Sequence, residues 1–216
     1  MKGLRAIWPN LPVLLAGSVL VGLGWSATRV VAGLSGWLIP IAVWLFVLPP
    51  LITLVVGCRQ LLRDEHFGIG TLFRALPSNA GRTIMISAGP MLMVVLTLIG
   101  WHAWRLSGSA LLLPSFVAGC LLSAAALLAG VVAVPYGVLT RVPGKETWLV
   151  AAFVLSRQPI PVLAVVAATA LGVWAAAYLS FALIILLPGP LAMIWAAAVE
   201  QATVNSKKTL VSKGTR

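Results

Sequence analysis

Residues 37–57 read WLIPIAVWLFVLPPLITLVVG, and residues 58–82 continue as CRQLLRDEHFGIGTLFRALPSNAGR. The first run has no charged side chain and is long enough to cross a hydrocarbon core of about 30 Å as a helix. The second run carries four arginines. An apolar run followed directly by a basic segment is typical of a membrane-spanning helix that ends at the cytoplasmic surface.

Similar apolar runs occur along the rest of the chain. The predicted spans are 11–32, 37–57, 83–104, 110–139 and 161–186. After Leu187-Pro188-Gly189-Pro190 a shorter apolar stretch, 191–204, predicts a sixth crossing or a re-entrant helix, with Pro-Gly-Pro as the outer turn. The fold class expected is therefore an all-α transmembrane helix bundle, with five long spans, a short C-terminal sixth helix and short cytoplasmic interfacial helices.

The distribution of basic residues predicts the orientation of these spans. Thirteen of the fifteen Lys and Arg side chains fall in segments that would all lie on one side of the membrane, and only Arg29 and Arg105 fall in the alternate loops. Cytoplasmic loops carry the excess of Lys and Arg. We therefore expect a bacterial inner-membrane protein with both termini in the cytoplasm, one transmembrane domain over 1–204 and a polar, basic tail over 205–216.

Composition separates this chain from soluble proteins and from nucleic-acid-binding proteins. Hydrophobic residues make up 61% of the chain and charged residues 9%, whereas about a quarter of an average soluble domain is charged. The net charge of +11 is spread thinly at predicted helix ends, with no basic face that could follow a phosphate backbone. The expected partner is the lipid bilayer, and no nucleic acid is expected.

Two cysteines, Cys58 and Cys120, lie at the end of the second span and within the fourth. Cys58 would face a reducing compartment, where disulfides are rare. We expect two free thiols that are buried as small apolar side chains.

Two segments on the predicted cytoplasmic side have the pattern of short interfacial helices. In the first, Ile69, Leu72, Phe73 and Leu76 follow the i, i+3, i+4, i+7 spacing of an amphipathic helix. In the second, residues 141–157, the apolar residues lie between 148 and 155. Such helices anchor a protein at the headgroup layer, and they can equally dock a cytoplasmic partner. The docking candidates here are Arg63, Phe73, Arg74 and Trp148.

The fifth predicted span has a stripe of small residues at intervals of four. Its members include Ala164, Ala168, Gly172 and Ala176. Small residues at this spacing let two helices approach closely in lipid. The stripe predicts packing inside the bundle, and the alternative is docking to a second copy or to another membrane subunit.

Prolines inside or beside the spans mark positions where a helix is kinked or broken. Pro49 and Pro50 lie in the second span, Tyr136 follows a proline near the end of the fourth, and Pro188 and Pro190 flank the last turn. Freed backbone groups at membrane depth must be satisfied by neighbouring helices or water. These residues are candidates for simple helix distortion or for the lining of a binding cavity.

The chain has few residues that could carry catalysis. Its four carboxylates, Asp64, Glu65, Glu146 and Glu200, all fall at or near the predicted inner interface, where Glu200 could pair with Arg157 or Arg141. His66 and His102 would lie on opposite sides of the bilayer, so they cannot share a metal or haem. The sequence has no phosphate-binding glycine loop and no His-Glu-x-x-His motif. We expect no enzyme, cofactor or metal site.

The order of these features resembles a known family. A proline near the end of the second span precedes a segment with arginines, here Pro50 and then 59–65. The fourth span ends in AVPYGVL before a cytoplasmic helix, and the fifth ends in LLPGPLAMIWAAA. This layout resembles the YesL family of bacterial integral membrane proteins. The resemblance implies an accessory role in carbohydrate uptake, since members are often encoded beside ABC-type sugar transporters, and ABC permease subunits are then the expected partners.

Two functions from different classes follow from this sequence. The first is an accessory or regulatory subunit, which binds partner helices through small-residue stripes and cytoplasmic partners through 58–82 and 141–157. The second is an autonomous small-solute carrier or channel, in which the proline breaks build the cavity, as broken helices do in many transporters.

Overall fold

A computed structural model of the chain describes residues 2–62, 67–178 and 186–200. Every element in these residues is helical. The α-helices are α1 (Lys2–Leu34), α2 (Ile39–Ala42), α3 (Leu48–Leu62), α4 (Ile69–Ser107), α5 (Leu113–Thr140), α6 (Gly144–Arg157), α7 (Pro159–Tyr178) and α8 (188–200). Short 3₁₀ turns precede α2 and α5, and a π-helix over Val43–Val47 joins α2 to α3.

Within the described residues, four stretches are long and apolar enough to cross a membrane. They are Asn10–Gly33, Gly36–Leu62, Ile69–Ser107 and Ala110–Thr140. A fifth is reached if the bent pair Gly144–Arg157 and Pro159–Gly172 is counted as one span. The all-helical class is thus confirmed, with four or five helices among the described residues that are long and apolar enough to span a membrane. The crossing expected over 191–204 remains a prediction, since 201–204 lie outside the described residues.

The first hairpin pairs α1 with the composite helix over Gly36–Leu62. Gly17 faces the Leu54 side chain, and Gly24 faces the backbone of Phe46, so the two helices run antiparallel. The composite helix stays continuous through Pro49 and Pro50, and its π-helical segment lies directly before them. Single π-turns accommodate local strain in a helix without ending it.

The second hairpin pairs α4 with α5, and α4 differs from the sequence-based prediction. The expected interfacial helix over 69–76 and the third span form one helix of 39 residues, which is about 58 Å long. Pro77 and Pro90 lie inside it without ending it. Each proline removes one backbone hydrogen bond and thereby weakens a helix locally, but the turns on either side remain helical.

The last part of the described chain folds back onto the bundle. Helices α6 and α7 meet at Gln158 with a bend of 97°. Residues 188–190 belong to helix α8, so the Pro-Gly-Pro turn predicted here is wrong. Proline is tolerated at a helix start because the first N–H groups have no partner within the helix.

Most of the buried apolar residues form a single core. It joins α3 to α5, α6, α7 and α8 through side chains such as Ile52, Val132, Val154, Val162 and Ala192. A smaller cluster of Val13, Leu61, Phe67 and Leu72 ties the start of α4 to α1 and α3. Both cysteines are free, but only Cys58 is buried; Cys120 is exposed on α5, which corrects the expectation of two buried thiols.

Candidate functional site

The break at Pro49-Pro50 is closed by a glycine of the neighbouring helix. Proline at position 50 removes the N–H that would bond to the Phe46 carbonyl four residues earlier. Gly24 of α1 lies against this carbonyl oxygen, and a Cβ at position 24 would overlap it. A Cα–H group can donate weakly to such an oxygen. The backbone of α1 therefore occupies the break, with Pro49 buried beside it.

The break beside Tyr136 is closed by a side chain. Pro135 leaves the Val131 carbonyl without its helical partner. The indole Nε1 of Trp195 on α8 donates to this oxygen at 2.7 Å. Trp195 is buried in the core, and half-buried Tyr136 lies one residue beyond the proline. Tyr136, the cavity candidate predicted here, thus lies beside a contact between α5 and α8.

The third predicted break lies at the start of α8. Pro188 is buried and Pro190 is exposed. Between them, a Cβ at Gly189 would lie 3.2 Å from Ser18 Oγ and 3.5 Å from Leu14 Cβ. This close approach docks the start of α8 against α1.

The end of α8 is held by an ion pair. Glu200 Oε2 accepts a hydrogen bond from Arg59 Nε at the end of α3, and both side chains are more than 70% buried. Arg59 was not among the partners considered for Glu200 from the sequence, which were Arg157 and Arg141. The pair joins residues that are 141 positions apart, so no local pattern in the sequence predicts it.

Arg82 fastens α4 to the end of α5. Its Nε donates to the Gly137 carbonyl at 2.8 Å, and one terminal nitrogen donates to the Val142 carbonyl at 2.6 Å. The Gly137 carbonyl also accepts the Arg141 N–H, and Val142 lies in the turn after α5. A guanidinium supplies two donors in a fixed geometry, so Arg82 ties α4 to both groups. Arg59, Arg82, Arg141 and Lys145 thus lie at one end of the bundle, which we call the basic end.

A cluster of polar side chains lies between α4 and the π-helix. Trp44 Nε1 donates to Ser87 Oγ at 2.8 Å, and Ser87 Oγ in turn donates to the Thr83 carbonyl. Thr83 Oγ1 is fully buried, and within the described residues it has no hydrogen-bond partner. An unpaired buried hydroxyl costs on the order of 1–3 kcal/mol, so Thr83 is an unfavourable position unless its hydroxyl gains a partner.

The docking candidates at the basic end have different surroundings. Phe73 and Arg74 are exposed, and Ile69, one turn before Phe73, is exposed as well. Trp148 is half-buried and packs against the core. Arg63 lies outside the described residues. The amphipathic face predicted for this segment is divided, because Leu72 is buried while Ile69 and Phe73 point outward.

The small residues of the α7 stripe likewise differ from one another in exposure. Ala164 is exposed and Ala168 is half-buried, whereas Gly172 is buried, with its Cβ position 3.1 Å from Leu191 of α8. Gly172 thus takes part in packing within the chain. The side chain of Ala176 lies outside the description.

No group of three His, Cys, Asp or Glu side chains within 2–62, 67–178 and 186–200 could hold a metal ion. No protein-family model matches the chain, and no curated protein or solved structure matches it either. The site is therefore interpreted from its own contacts. The Arg82 and Trp195 contacts escaped the sequence-based prediction, although Pro135 was a signal that the Val131 carbonyl needs a donor.

Proposed function

We propose that this chain is a membrane-embedded accessory subunit of a solute-uptake system and does not itself form the solute pathway. The observation that carries the proposal is that two carbonyls freed by prolines, in helices that stay continuous, are covered within the bundle. Gly24 covers the Phe46 carbonyl and Trp195 covers the Val131 carbonyl. In carriers, backbone groups of discontinuous helices coordinate the substrate or the coupling ion. Here a neighbouring helix takes that position.

The packing of α8 supports the same proposal. Ala192, Trp195, Ala196 and Val199 are buried in the core. Bundles commonly place ligand sites between facing helices. In this chain that space is occupied by the side chains of α8.

A partner would meet the exposed residues at the basic end. Ile69 and Phe73 are 41% and 52% exposed on a helix whose other side is anchored by buried Leu72. Arg82 is level with the end of α5, so residues 69–81 extend about 20 Å beyond that level along α4. We take ABC permease subunits for sugars as the partner class, because the sequence layout resembles the YesL family.

Affinity purification in mild detergent tests the proposal. The tagged full chain is expected to recover permease subunits in stoichiometric amount. A variant with Ile69→Ser and Phe73→Ser should lose them. The matched control, Leu106→Ser with Leu111→Ser, changes two exposed leucines at the opposite end and should retain them. Recovery of the chain alone, or equal recovery with both variants, would contradict the accessory function.

The second candidate function is an autonomous carrier, and the Trp44–Ser87–Thr83 cluster favours it. π-Helical turns are frequent at functional sites, and this one lies beside a fully buried hydroxyl that has no partner among the described residues. Purified chain in liposomes distinguishes the two functions. Sugar uptake that is abolished by Thr83→Val would establish the carrier, whereas the accessory proposal expects no uptake by the chain alone.

A further inference from the structure

The corner between α5 and α6 gathers three cations around one turn. Arg141 follows the last residue of α5 in a left-handed conformation, with φ of 54°. The guanidinium of Arg82 lies against the same turn through its hydrogen bond to the Val142 carbonyl. Lys145 is the second residue of α6. Since Gly137, Val142 and Arg82 are linked by hydrogen bonds, the corner is fixed in place.

These three cations have no acidic partner in the described part of the chain. Its salt bridge joins Arg59 to Glu200, and Arg82, Arg141 and Lys145 take part in none. Glu146 is exposed next to Lys145 but forms no salt bridge with any of them. Arg141 and Lys145 are both exposed. Like charges held at one turn repel each other, so the corner favours an external anion.

The orientation of α6 indicates where that anion lies. Thr147, Ala151 and Val154 are buried on one side of α6, while Leu149 is 71% exposed on the other. The helix meets α7 at 97°, so its axis lies across the direction of a helix of the bundle. At its far end the Arg157 guanidinium lies 5.6 Å from the Phe153 ring centroid. A helix that lies across the direction of α7, with an exposed leucine and cations at both ends, fits the membrane surface.

We propose that the α5–α6 corner binds the headgroups of anionic phospholipids in the leaflet at the basic end of the bundle. Arg141 and Lys145 supply the charge that meets the headgroup, and Arg82 is a positioning residue that holds the turn. Leu149 contacts the acyl chains beside them. The proposal concerns lipid binding alone and does not depend on the accessory function.

Native mass spectrometry of the full chain tests this binding. The protein is released from mixed micelles of phosphatidylglycerol and phosphatidylcholine, and the retained lipid is counted. We expect phosphatidylglycerol to be enriched on the natural chain. Because each cation near the surface contributes about fivefold, Arg141→Gln with Lys145→Gln should reduce the enrichment by more than about tenfold. The control Arg29→Gln with Arg105→Gln removes two exposed charges elsewhere and should preserve it.

Three results would overturn the proposal. One is equal loss of enrichment in both double variants, which would mean that net charge alone attracts the lipid. Another is unchanged enrichment in Arg141→Gln with Lys145→Gln. The third is displacement of phosphatidylglycerol by free glycerol 3-phosphate, which would make the ligand a soluble anion. Should the variant fail to fold, the natural chain still decides, because enrichment must fall with added salt if the contact is electrostatic.

Discussion

In both hairpins of this bundle, backbone carbonyls are covered by neighbouring helices, but the covering groups differ. In the first, the carbonyl freed by Pro50 is covered by the backbone of Gly24. In the second, the donors are side chains: Trp195 donates to Val131 of α5, and Arg82 donates to Gly137 of α5 and to Val142 in the turn after it. A backbone contact tolerates no added atom, whereas a side-chain donor can be removed without overlap. The first hairpin should therefore be sensitive to size and the second to hydrogen bonding.

Enlarging Gly24 should have the largest effect. In Gly24→Val the new side chain overlaps the Phe46 carbonyl, so we expect the free energy of unfolding in detergent to fall by about 3 kcal/mol. The control is Gly33→Val, because the same helix has open space around Gly33. Equal losses in the two variants would mean that valine weakens α1 itself and that the close approach is unimportant.

Removal of the Arg82 side chain is the first test of the second hairpin. Arg82→Gln loses two charge-assisted hydrogen bonds, although the Gly137 carbonyl keeps the Arg141 N–H, so we expect a loss of about 2 kcal/mol. Arg74→Gln removes the same charge from an exposed position of the same helix and should be nearly neutral. Unfolding monitored by circular dichroism in detergent measures both. Similar losses of stability in the two variants would mean that the change in net charge, not the loss of hydrogen bonds, is responsible.

Trp195 allows a double-mutant test of the proline break. Trp195→Phe should cost about 1 kcal/mol in the natural background, because the Val131 carbonyl loses its donor. Pro135→Ala restores the backbone N–H that can reach this carbonyl. The cost of Trp195→Phe should then shrink in the Pro135→Ala background. An unchanged cost would show that Trp195 stabilises the bundle by packing alone.

The smallest effect is expected at the contact between α4 and α5. The Thr97 and Ser123 hydroxyls lie 2.8 Å apart, and Thr97 also donates to the Met93 carbonyl of its own helix. Ser123→Ala should cost about 0.6 kcal/mol, since the Thr97 hydroxyl keeps a partner. Ser115→Ala at an exposed position of α5 is the control. A loss above that of Trp195→Phe would reverse the order proposed for these contacts.

The spans could be predicted from sequence because each is decided locally. Whether a run of apolar residues is long enough to cross the lipid can be read from that run alone. The stretches near Leu11, Trp37, Thr83 and Ala110 are all helical as expected. The continuity of α4 was not predicted. Polar residues around Pro77 favoured a separate helix, but the turns on either side of this proline stay aligned in the structure.

The contacts between helices could not be predicted from one sequence. Arg59 and Glu200 are 141 positions apart, and Trp195 and Val131 are 64 positions apart. No periodic pattern in the sequence predicts pairs at such separations. Pro135 reveals that a carbonyl needs a donor, but it does not identify the donor. The same holds for Gly24 and Gly33, which are alike in sequence and differ only in what the fold brings beside them.

The position of α8 in the chain has a consequence for biogenesis. A ribosome completes α1, α3 and α5 before it makes the helix that binds all three of them. During that interval the Val131 carbonyl and the Arg59 guanidinium must rely on water, lipid headgroups or an insertion factor. The nascent bundle therefore lacks these contacts until α8 has been made, and quality-control proteases have their best opportunity before then.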